Sequence, residues 1–153
     1  MAEVWFYHLE RRALEQVLPG LVEKSLERGW RVAIEAAGEE RVAALDALLW
    51  TYSDESFLPH GTTRDGEPER QPVYLTAGVD NPNGANVRFC VRGADPSAAL
   101  AAHGGYDRVA VLFDGNDEDA VALARRQWSA LKDTDHARAY WQADENGRWA
   151  KKA

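Results

Sequence analysis

Hydrophobic residues follow two patterns along this chain, short apolar runs and longer stretches with helical spacing. The runs at residues 4–9, 30–37 and 108–114 are typical of buried strands, and RVAVLFD is the clearest of them. Two shorter runs, PVYLTAG and NVRFCVRG, predict strands on either side of the turn-rich DNPNGA. The tail from Ala137 predicts a hairpin turned at residues 145–147, where Asn-Gly favours a tight turn.

Four helices are predicted between these strands. The first has an apolar stripe, made of Leu14, Val17, Leu18, Leu21 and Val22. Gly29 closes it as a C-terminal cap, and Pro19 must either kink it or stand in the first turn of a helix that begins there. EERVAALDALLW predicts the second helix, residues 95–97 open a short third one, and the fourth covers 117–132.

Helices that alternate with strands are typical of a mostly parallel sheet covered on both faces. We therefore predict an α/β fold, with one three-layer domain spanning residues 1–153. Residues 61–71 contain Gly, Pro and charged residues but no apolar anchor, so a mobile loop is expected there.

The composition, 45% hydrophobic and 28% charged residues in a chain of 153, is typical of a globular protein. No stretch approaches the ~18 apolar residues of a membrane span, and the start lacks the basic and apolar parts of a signal peptide. Cys90 is the single cysteine, so an internal disulfide is excluded, and its apolar strand predicts a buried, inert thiol. We expect a cytoplasmic protein.

The net charge of −7 disfavours direct binding to DNA or RNA backbones. Residues 1–106 hold 10 basic against 16 acidic residues, whereas residues 107–153 hold 8 against 9. A basic patch for an acidic partner is therefore expected in the C-terminal third of the chain.

The sequence lacks the motifs of the common nucleotide sites, since neither G-x-G-x-x-G nor G-x-x-x-x-G-K-[ST] occurs. The most metal-like string is FDGNDEDA, from Phe113 to Ala120, which is the basis of an alternative reading as a metal- or nucleotide-dependent α/β enzyme. Its spacing does not fit a calcium loop, and the favoured interpretation is that Asn116 or Asp117 caps the next helix. The four histidines lie far apart in sequence, so we expect no metal, cofactor or catalytic residues.

The segment LLWTYSDESFLPHG, residues 48–61, places large apolar side chains where a helix meets a loop. A Leu-Trp pair that ends a helix, then a spacer and Glu-Ser-Phe-Leu-Pro-His, resembles the hallmark of the chi subunit of bacterial DNA polymerase III. FYHLERRALEQVLPGLVEKSLERGWRVAI resembles the first strand, helix and second strand of that family. ARRQWSALKDTDHARAYWQADENGRWAKKA resembles its last helix and closing segment, so the resemblance covers nearly the whole chain.

The resemblance implies a non-catalytic accessory protein of the clamp loader, with a fold similar to mononucleotide-binding domains but no bound nucleotide. It also implies two partner surfaces. The first receives the psi subunit, and the residues assigned to it are Trp50, Phe57, Leu58, Pro59 and His60. Trp50 and Phe57 match the family positions for this contact, and an aromatic pair beside a proline is typical of an interface anchor. Tyr52, Leu58 and His60 are expected to support them, and Asp54 and Glu55 to form a solvated rim.

The second implied surface receives the acidic C-terminal tail of single-stranded DNA-binding protein. The residues assigned to it lie in or beside the last predicted helix and are Val121, Arg125, Trp128, Ser129 and Lys132. Spacings of four, three and four place all but Ser129 on one helix face, where Arg125 can fork onto a terminal carboxylate. Some family members carry a lysine at the position of Ser129, which leaves Lys132 and Arg126 as candidate replacements. An ordinary amphipathic helix with Trp128 in the core is the alternative.

Overall fold

Seven strands and four α-helices alternate within residues 2–51, 60–62, 65–143 and 147–153, the part of the chain that the computed structural model describes. The strands are β1 (Glu3–Leu9), β2 (Val32–Ala36), β3 (Val73–Thr76), β4 (Val87–Val91), β5 (Arg108–Asp114), β6 (Ala137–Ala143) and β7 (Trp149–Lys151). The helices are α1 (Leu14–Glu27), α2 (Glu39–Thr51), α3 (Pro96–Ala102) and α4 (Glu118–Ala130). None of these helices combines the length and apolar character needed to cross a membrane.

The strands form one sheet in the order β3-β2-β4-β5-β1-β6-β7. Every neighbouring pair is parallel except β6 and β7, which form the antiparallel hairpin expected at the C-terminal end. The predicted α/β class with a mostly parallel central sheet is therefore confirmed.

Alternation of side chains along the strands gives the sheet two apolar faces. In β1, Val4 and Phe6 join the core beneath α4, whereas Tyr7 and Leu9 join the core beneath α1 and α2. The α1–α2 face also buries alternate residues of β2 and β4, and Ala124 anchors α4 on the other face. Helices on both faces produce the three-layer domain predicted from the sequence.

The predicted ends of α1 are partly corrected by the structure. The helix begins at Leu14, so Pro19 lies inside it on the buried side and not in its first turn. Gly29 forms the expected cap, with a φ of 82°. The Gly29 N–H donates to the Leu26 carbonyl (2.9 Å) and the Trp30 N–H to that of Ser25 (3.1 Å), the pattern of a Schellman motif.

Three other predicted boundaries differ from the observed ones. Strand β2 begins two residues later than predicted, because the Arg31 N–H is bound by the Asn86 side chain (3.0 Å). Residues 61–71 are not a plain loop, since Gly61 pairs with Tyr74 at the edge of β3 and Pro68–Arg70 forms a 3-10 turn. The predicted helix over 117–132 ends at Ala130, where i→i+3 hydrogen bonds tighten its last turn.

A buried ion pair lies on the α3–α4 face of the sheet, beneath the segment from Gly78 to Ala85. The Arg88 guanidinium, which is fully buried, donates to Glu35 Oε1 through Nε (3.0 Å) and Nη2 (2.6 Å). It also donates to the carbonyls of Gly78 (2.6 Å) and Asp80 (3.0 Å) and to the Tyr106 hydroxyl (3.2 Å). All five of its N–H donors are thus used, and two of them hold this segment on the sheet.

Candidate protein-binding surfaces

Helix α4 presents the C-terminal candidate surface. Its N-cap is Asp117, whose carboxylate accepts the N–H groups of Asp119 (3.0 Å) and Ala120 (3.4 Å). Ala124 and Gln127 face inward, which leaves Arg125 exposed and Val121 and Trp128 half-buried. Because inward and outward residues alternate at helical spacing, Val121, Arg125 and Trp128 lie together along one side of the helix, as predicted.

Trp128 is neither a plain core residue nor a free surface residue. Its ring meets Phe6 edge-on at 5.3 Å between centroids and Tyr140 at 6.0 Å, with an interplanar angle of 87° to the latter. These contacts fix the orientation of the indole, while the side chain stays half-exposed. An indole held in this way suits an apolar contact at low entropic cost.

Strand β6 contributes two side chains that the sequence analysis did not assign to this surface, Arg138 and Tyr140. The Arg138 guanidinium lies 4.2 Å from the centroid of the Trp128 ring, and its Nη1 donates to the Trp128 carbonyl (2.8 Å). Tyr140 pairs in register with Phe6, which places it on the α4 side of the sheet. The alternating pattern in ARAYWQA predicts that Arg138 and Tyr140 point to the side of the strand opposite Trp141. Only the order of the strands in the sheet shows that this side faces α4.

Two polar groups accompany the Trp128 ring on this surface, the Arg125 guanidinium and the Tyr140 hydroxyl. Arg125 makes no ion pair or hydrogen bond with any described residue, so its guanidinium is available to a ligand. Burial raises the pKa of Tyr140, and the nearby Arg125 charge opposes that shift. The Tyr140 hydroxyl is also bound to His8 Nδ1, which holds the phenol in place.

Ser129 and Lys132 extend this surface beyond the end of α4. Both are exposed, and the Lys132 N–H donates to the Ser129 carbonyl (3.1 Å) in the turn after the helix. Lys132 therefore lies in the turn after α4 and not within the helix, which ends at Ala130. We call the set Val121, Arg125, Trp128, Ser129, Lys132, Arg138 and Tyr140 the α4–β6 surface.

The other predicted surface lies where α2 ends. His60 is buried, and its Nε2 is 3.1 Å from Asp46 Oδ1, so its side chain supports the segment that returns to the sheet. Gly61 then pairs with β3 through hydrogen bonds to Val73 (3.0 Å) and Leu75 (2.9 Å). Trp50 is described only by its backbone in α2. Several assigned residues lie outside the described part of the chain: Tyr52, Asp54, Glu55, Phe57, Leu58 and Pro59.

Helices α2 and α4 lie on different parts of the fold. Helix α2 packs on the β2–β3 end of the sheet, on the face that it shares with α1. Trp128 of α4 packs on Phe6 of β1 and Tyr140 of β6, on the opposite face and towards the opposite edge. The two helices therefore face different sides of the sheet.

The acidic residues after β5 accept hydrogen bonds from backbone groups of the same segment and of helix α4. Asp117 caps α4, as the favoured interpretation predicted, and the Asp114 carboxylate accepts the Asn116 N–H (2.9 Å). Asn116 in turn donates to the Glu10 carbonyl (2.7 Å). Among the described residues, no three His, Cys, Asp or Glu side chains are grouped closely enough to hold a metal ion.

Cys90 is a buried free thiol, and burial raises its pKa.

Comparisons with known proteins agree with these features. A family model described as DNA polymerase III chi subunit, HolC, matches residues 1–139. The "Probable DNA polymerase III subunit chi" of Rickettsia prowazekii (strain Madrid E) is 30% identical over 100 residues, which cover 65% of this chain and 61% of that one. The "DNA polymerase III subunit chi" of Pseudomonas aeruginosa is 33% identical over 81 residues, 51% of this chain and 56% of that one.

The chain thus spans less than two thirds of the length of these curated relatives. Among solved structures, the C-terminal domain of the DEAD-box protein Dbp5 matches with a TM-score of 0.50 and 14% identity, over 91% of this chain and 90% of that one. That likeness concerns the fold alone. The match of the family model over nearly the whole sequence shows that the chain belongs to the DNA polymerase III chi subunit family.

Proposed function

We propose that the protein is a non-catalytic adaptor that links the clamp loader to single-stranded DNA-binding protein. One contact is made by the α2 end, with Trp50 and Phe57 as anchors for the psi subunit or another protein at that surface. The other is made by the α4–β6 surface, which binds the acidic C-terminal tail of single-stranded DNA-binding protein. We expect both contacts to be made in the cytoplasm, which is the location predicted from the sequence.

The observation that carries this proposal is that Arg125, which has no ion pair with a described residue, lies on the same side of α4 as the fixed ring of Trp128. A peptide that ends in a bulky residue presents a side chain and a carboxylate only a few ångströms apart. The indole and Val121 form an apolar contact for the side chain, while Arg125 can donate two parallel hydrogen bonds to the carboxylate. Lys132 and Arg138 add positive charge for the acidic residues upstream.

The positions of α2 and α4 on different parts of the fold support the proposed adaptor function. A tail contact that is weak by itself becomes effective because one DNA strand coated with binding protein presents many tails at high local concentration. Binding at the α2 end leaves the α4–β6 surface open, so the clamp loader can stay connected while individual tails exchange.

The tail site is tested with a synthetic peptide of about ten residues that copies the C-terminus of the host's single-stranded DNA-binding protein. Isothermal titration should show binding to the wild type and at least roughly tenfold weaker binding to Arg125→Ala, a loss of about 1.4 kcal/mol. The same peptide with an amidated C-terminus should bind as weakly to the wild type. Arg70→Ala removes an equal charge at the distant start of β3 and should have no effect.

The α2 surface is tested separately by co-purification with psi. Trp50→Ala combined with Phe57→Ala should abolish capture of psi and leave the affinity for the peptide unchanged. Loss of both activities together would indicate misfolding, and capture of psi by the double variant would refute the assignment of that surface.

A further inference from the structure

A second aromatic surface lies on the face of the sheet opposite Trp128. There, Trp5, Tyr7, Trp141 and Trp149 border a cavity of about 670 Å³ next to the last turns of α1. We call it the aromatic groove. It shares strand β6 with the α4–β6 surface, because Tyr140 and Trp141 are neighbours on β6 and point to opposite faces.

The rings of the groove hold one another in place. Trp5 and Trp141 lie 5.0 Å apart between centroids, and Tyr7 meets Trp149 edge-on at 4.9 Å and 78°. The three indoles are only half-buried. Partly exposed indoles in one cavity of this size form a pocket suited to a large apolar side chain.

One polar group of this groove is Arg108, whose side chain makes no hydrogen bond with any residue in the described part of the chain. Its guanidinium stacks on Trp5, with Cζ 3.6 Å from the ring centroid, and its side chain is only 19% exposed. The nearest carboxylate oxygen, Glu3 Oε2, is 3.9 Å from Nη2, too far for a hydrogen bond. The contrast with Arg88, whose guanidinium is bound by five short contacts, is clear.

A second donor in the same groove is also unused. The indole nitrogen of Trp141 and Nε of Arg108 are both buried, and neither has a hydrogen-bond partner within the described part of the chain. Buried donors are rarely left unpaired in folded proteins, because an unpaired donor has lost its hydrogen bonds to water without replacement. Both residues line the cavity, and the 19% of the Arg108 side chain that stays exposed is where an incoming acceptor can reach the guanidinium.

The charges of the side chains that line the groove indicate which kind of hydrogen-bond acceptor it would bind. Three cationic side chains line the groove, Lys24, Arg28 and Arg108, against one carboxylate, that of Glu27. Lys24 and Arg28 form no ion pair with a described residue, and Arg28 lies 4.1 Å from the centroid of the Trp30 ring. A groove with excess positive charge, in a chain with a net charge of −7, favours a short anionic ligand.

We propose that the aromatic groove binds a short acidic peptide segment of a partner protein. An aromatic or aliphatic side chain of the segment packs against Trp5 and Trp141, and a neighbouring carboxylate accepts hydrogen bonds from Arg108. This would be a third protein contact, separate from the α2 end and the α4–β6 surface. A peptide is favoured over single-stranded DNA because a long polyanion would be repelled by the net charge of the chain.

The test uses indole N–H resonances in two-dimensional NMR spectra of the full chain. The probes are capped tripeptides in which Phe, Trp or Leu is flanked by Glu or Asp, with the matching Gln and Asn peptides and oligothymidylate as comparisons. The acidic peptides should shift the indole signals of Trp5 and Trp141 in a saturable way. Arg108→Gln should weaken this binding at least roughly tenfold, and Arg108→Lys by less, because it retains the charge without the fork.

Arg70→Ala serves as the control, because Arg70 lies outside the aromatic groove and outside the α4–β6 surface, and it should leave the titration unchanged. Melting curves of the Arg108 variants establish that they are folded. Trp141→Phe is an independent second variant, because it removes only the N–H donor and part of the ring. It should also weaken binding. The proposal is overturned if the acidic peptides cause no indole shift, or if the neutral peptides bind equally well. Unchanged binding to folded Arg108→Gln, or shifts with oligothymidylate alone, would also overturn it.

Discussion

Arg138 clamps Trp128 from two directions, with its guanidinium 4.2 Å from the centroid of the indole ring and its Nη1 bound to the carbonyl of the same residue (2.8 Å). The carbonyl belongs to the last turn of α4, where a cation also interacts favourably with the helix dipole. One arginine on β6 thus connects the end of the helix to the sheet and fixes the ring that the proposed tail site uses.

We expect Arg138→Ala to lower the free energy of unfolding by about 1–2 kcal/mol, since one hydrogen bond and one cation–π contact are lost. Tail-peptide affinity should fall as well, because the Trp128 ring is no longer fixed. Urea denaturation and peptide titration measure the two effects. Arg138→Lys keeps the charge and should retain more of both than Arg138→Ala, and equal loss in the two variants would contradict a role for charge.

Gly115, in the acidic segment, is required by close packing against β1. A Cβ atom at this position would lie 2.1 Å from His8 Nε2 and 2.9 Å from the Leu9 carbonyl oxygen. The His8 ring is held by Tyr140 and packs on Phe113, so it has little freedom to move away. Gly115→Ala should therefore destabilise the fold by about 1–3 kcal/mol in chemical denaturation.

Gly20 provides the matched control for that substitution. It lies inside α1, and a Cβ atom there would meet nothing within 4 Å outside the helix. Gly20→Ala should stabilise the protein by about 0.5–1 kcal/mol, because alanine loses less backbone entropy in a helix. Equal stability of the Gly115→Ala variant and the wild type would show that β1 can shift to accept the methyl group.

The Glu35–Arg88 pair should behave as a coupled unit. Arg88→Met leaves the Glu35 carboxylate buried without its partner, and we expect a loss of about 3–5 kcal/mol in the free energy of unfolding. Burial raises the pKa of Glu35 even with the arginine present. Adding Glu35→Leu to Arg88→Met should recover part of the loss, and a double-mutant cycle measures that coupling. Strictly additive effects would show that the pair contributes no interaction energy.

Asp80 should make stability depend on acid pH. Burial alone would raise the pKa of Asp80, but hydrogen bonds from Thr76 (2.5 Å) and Tyr74 (2.6 Å) more than offset this and lower it. The unfolded state then binds more protons than the folded state in acid. The stabilisation is therefore present above the ordinary aspartate pKa of about 3.9 and is lost as pH falls through the lowered folded-state value.

Melting temperatures of the wild type and Asp80→Asn, measured between about pH 7 and pH 3, test this expectation. The wild type should be the more stable at neutral pH, and the difference should shrink as the pH falls. Subtracting the two curves cancels the opposite contribution of Glu35, whose pKa is raised. A difference that stays constant with pH would contradict the assignment.

Local patterns were sufficient for most elements of the fold. Strand β5 and the cap at Gly29 follow from an apolar run and from a glycine that tolerates a positive φ. The use of Asp117 as a helix cap was also predicted, because a short carboxylate before a helix can accept its free N–H groups. Each of these features depends on residues that are close in sequence.

The sequence by itself determined the α/β class, the order of the elements, the motif that identifies the family and the candidate residues on α4. Only the tertiary structure decided that β6 lies beside β1, and so that Arg138 and Tyr140 join Trp128 on one face while Trp141 joins Trp5 on the other. It also ended α4 before Lys132. Periodicity reports which side of an element is buried, whereas the neighbours of a strand are chosen by packing between residues that are distant in the chain.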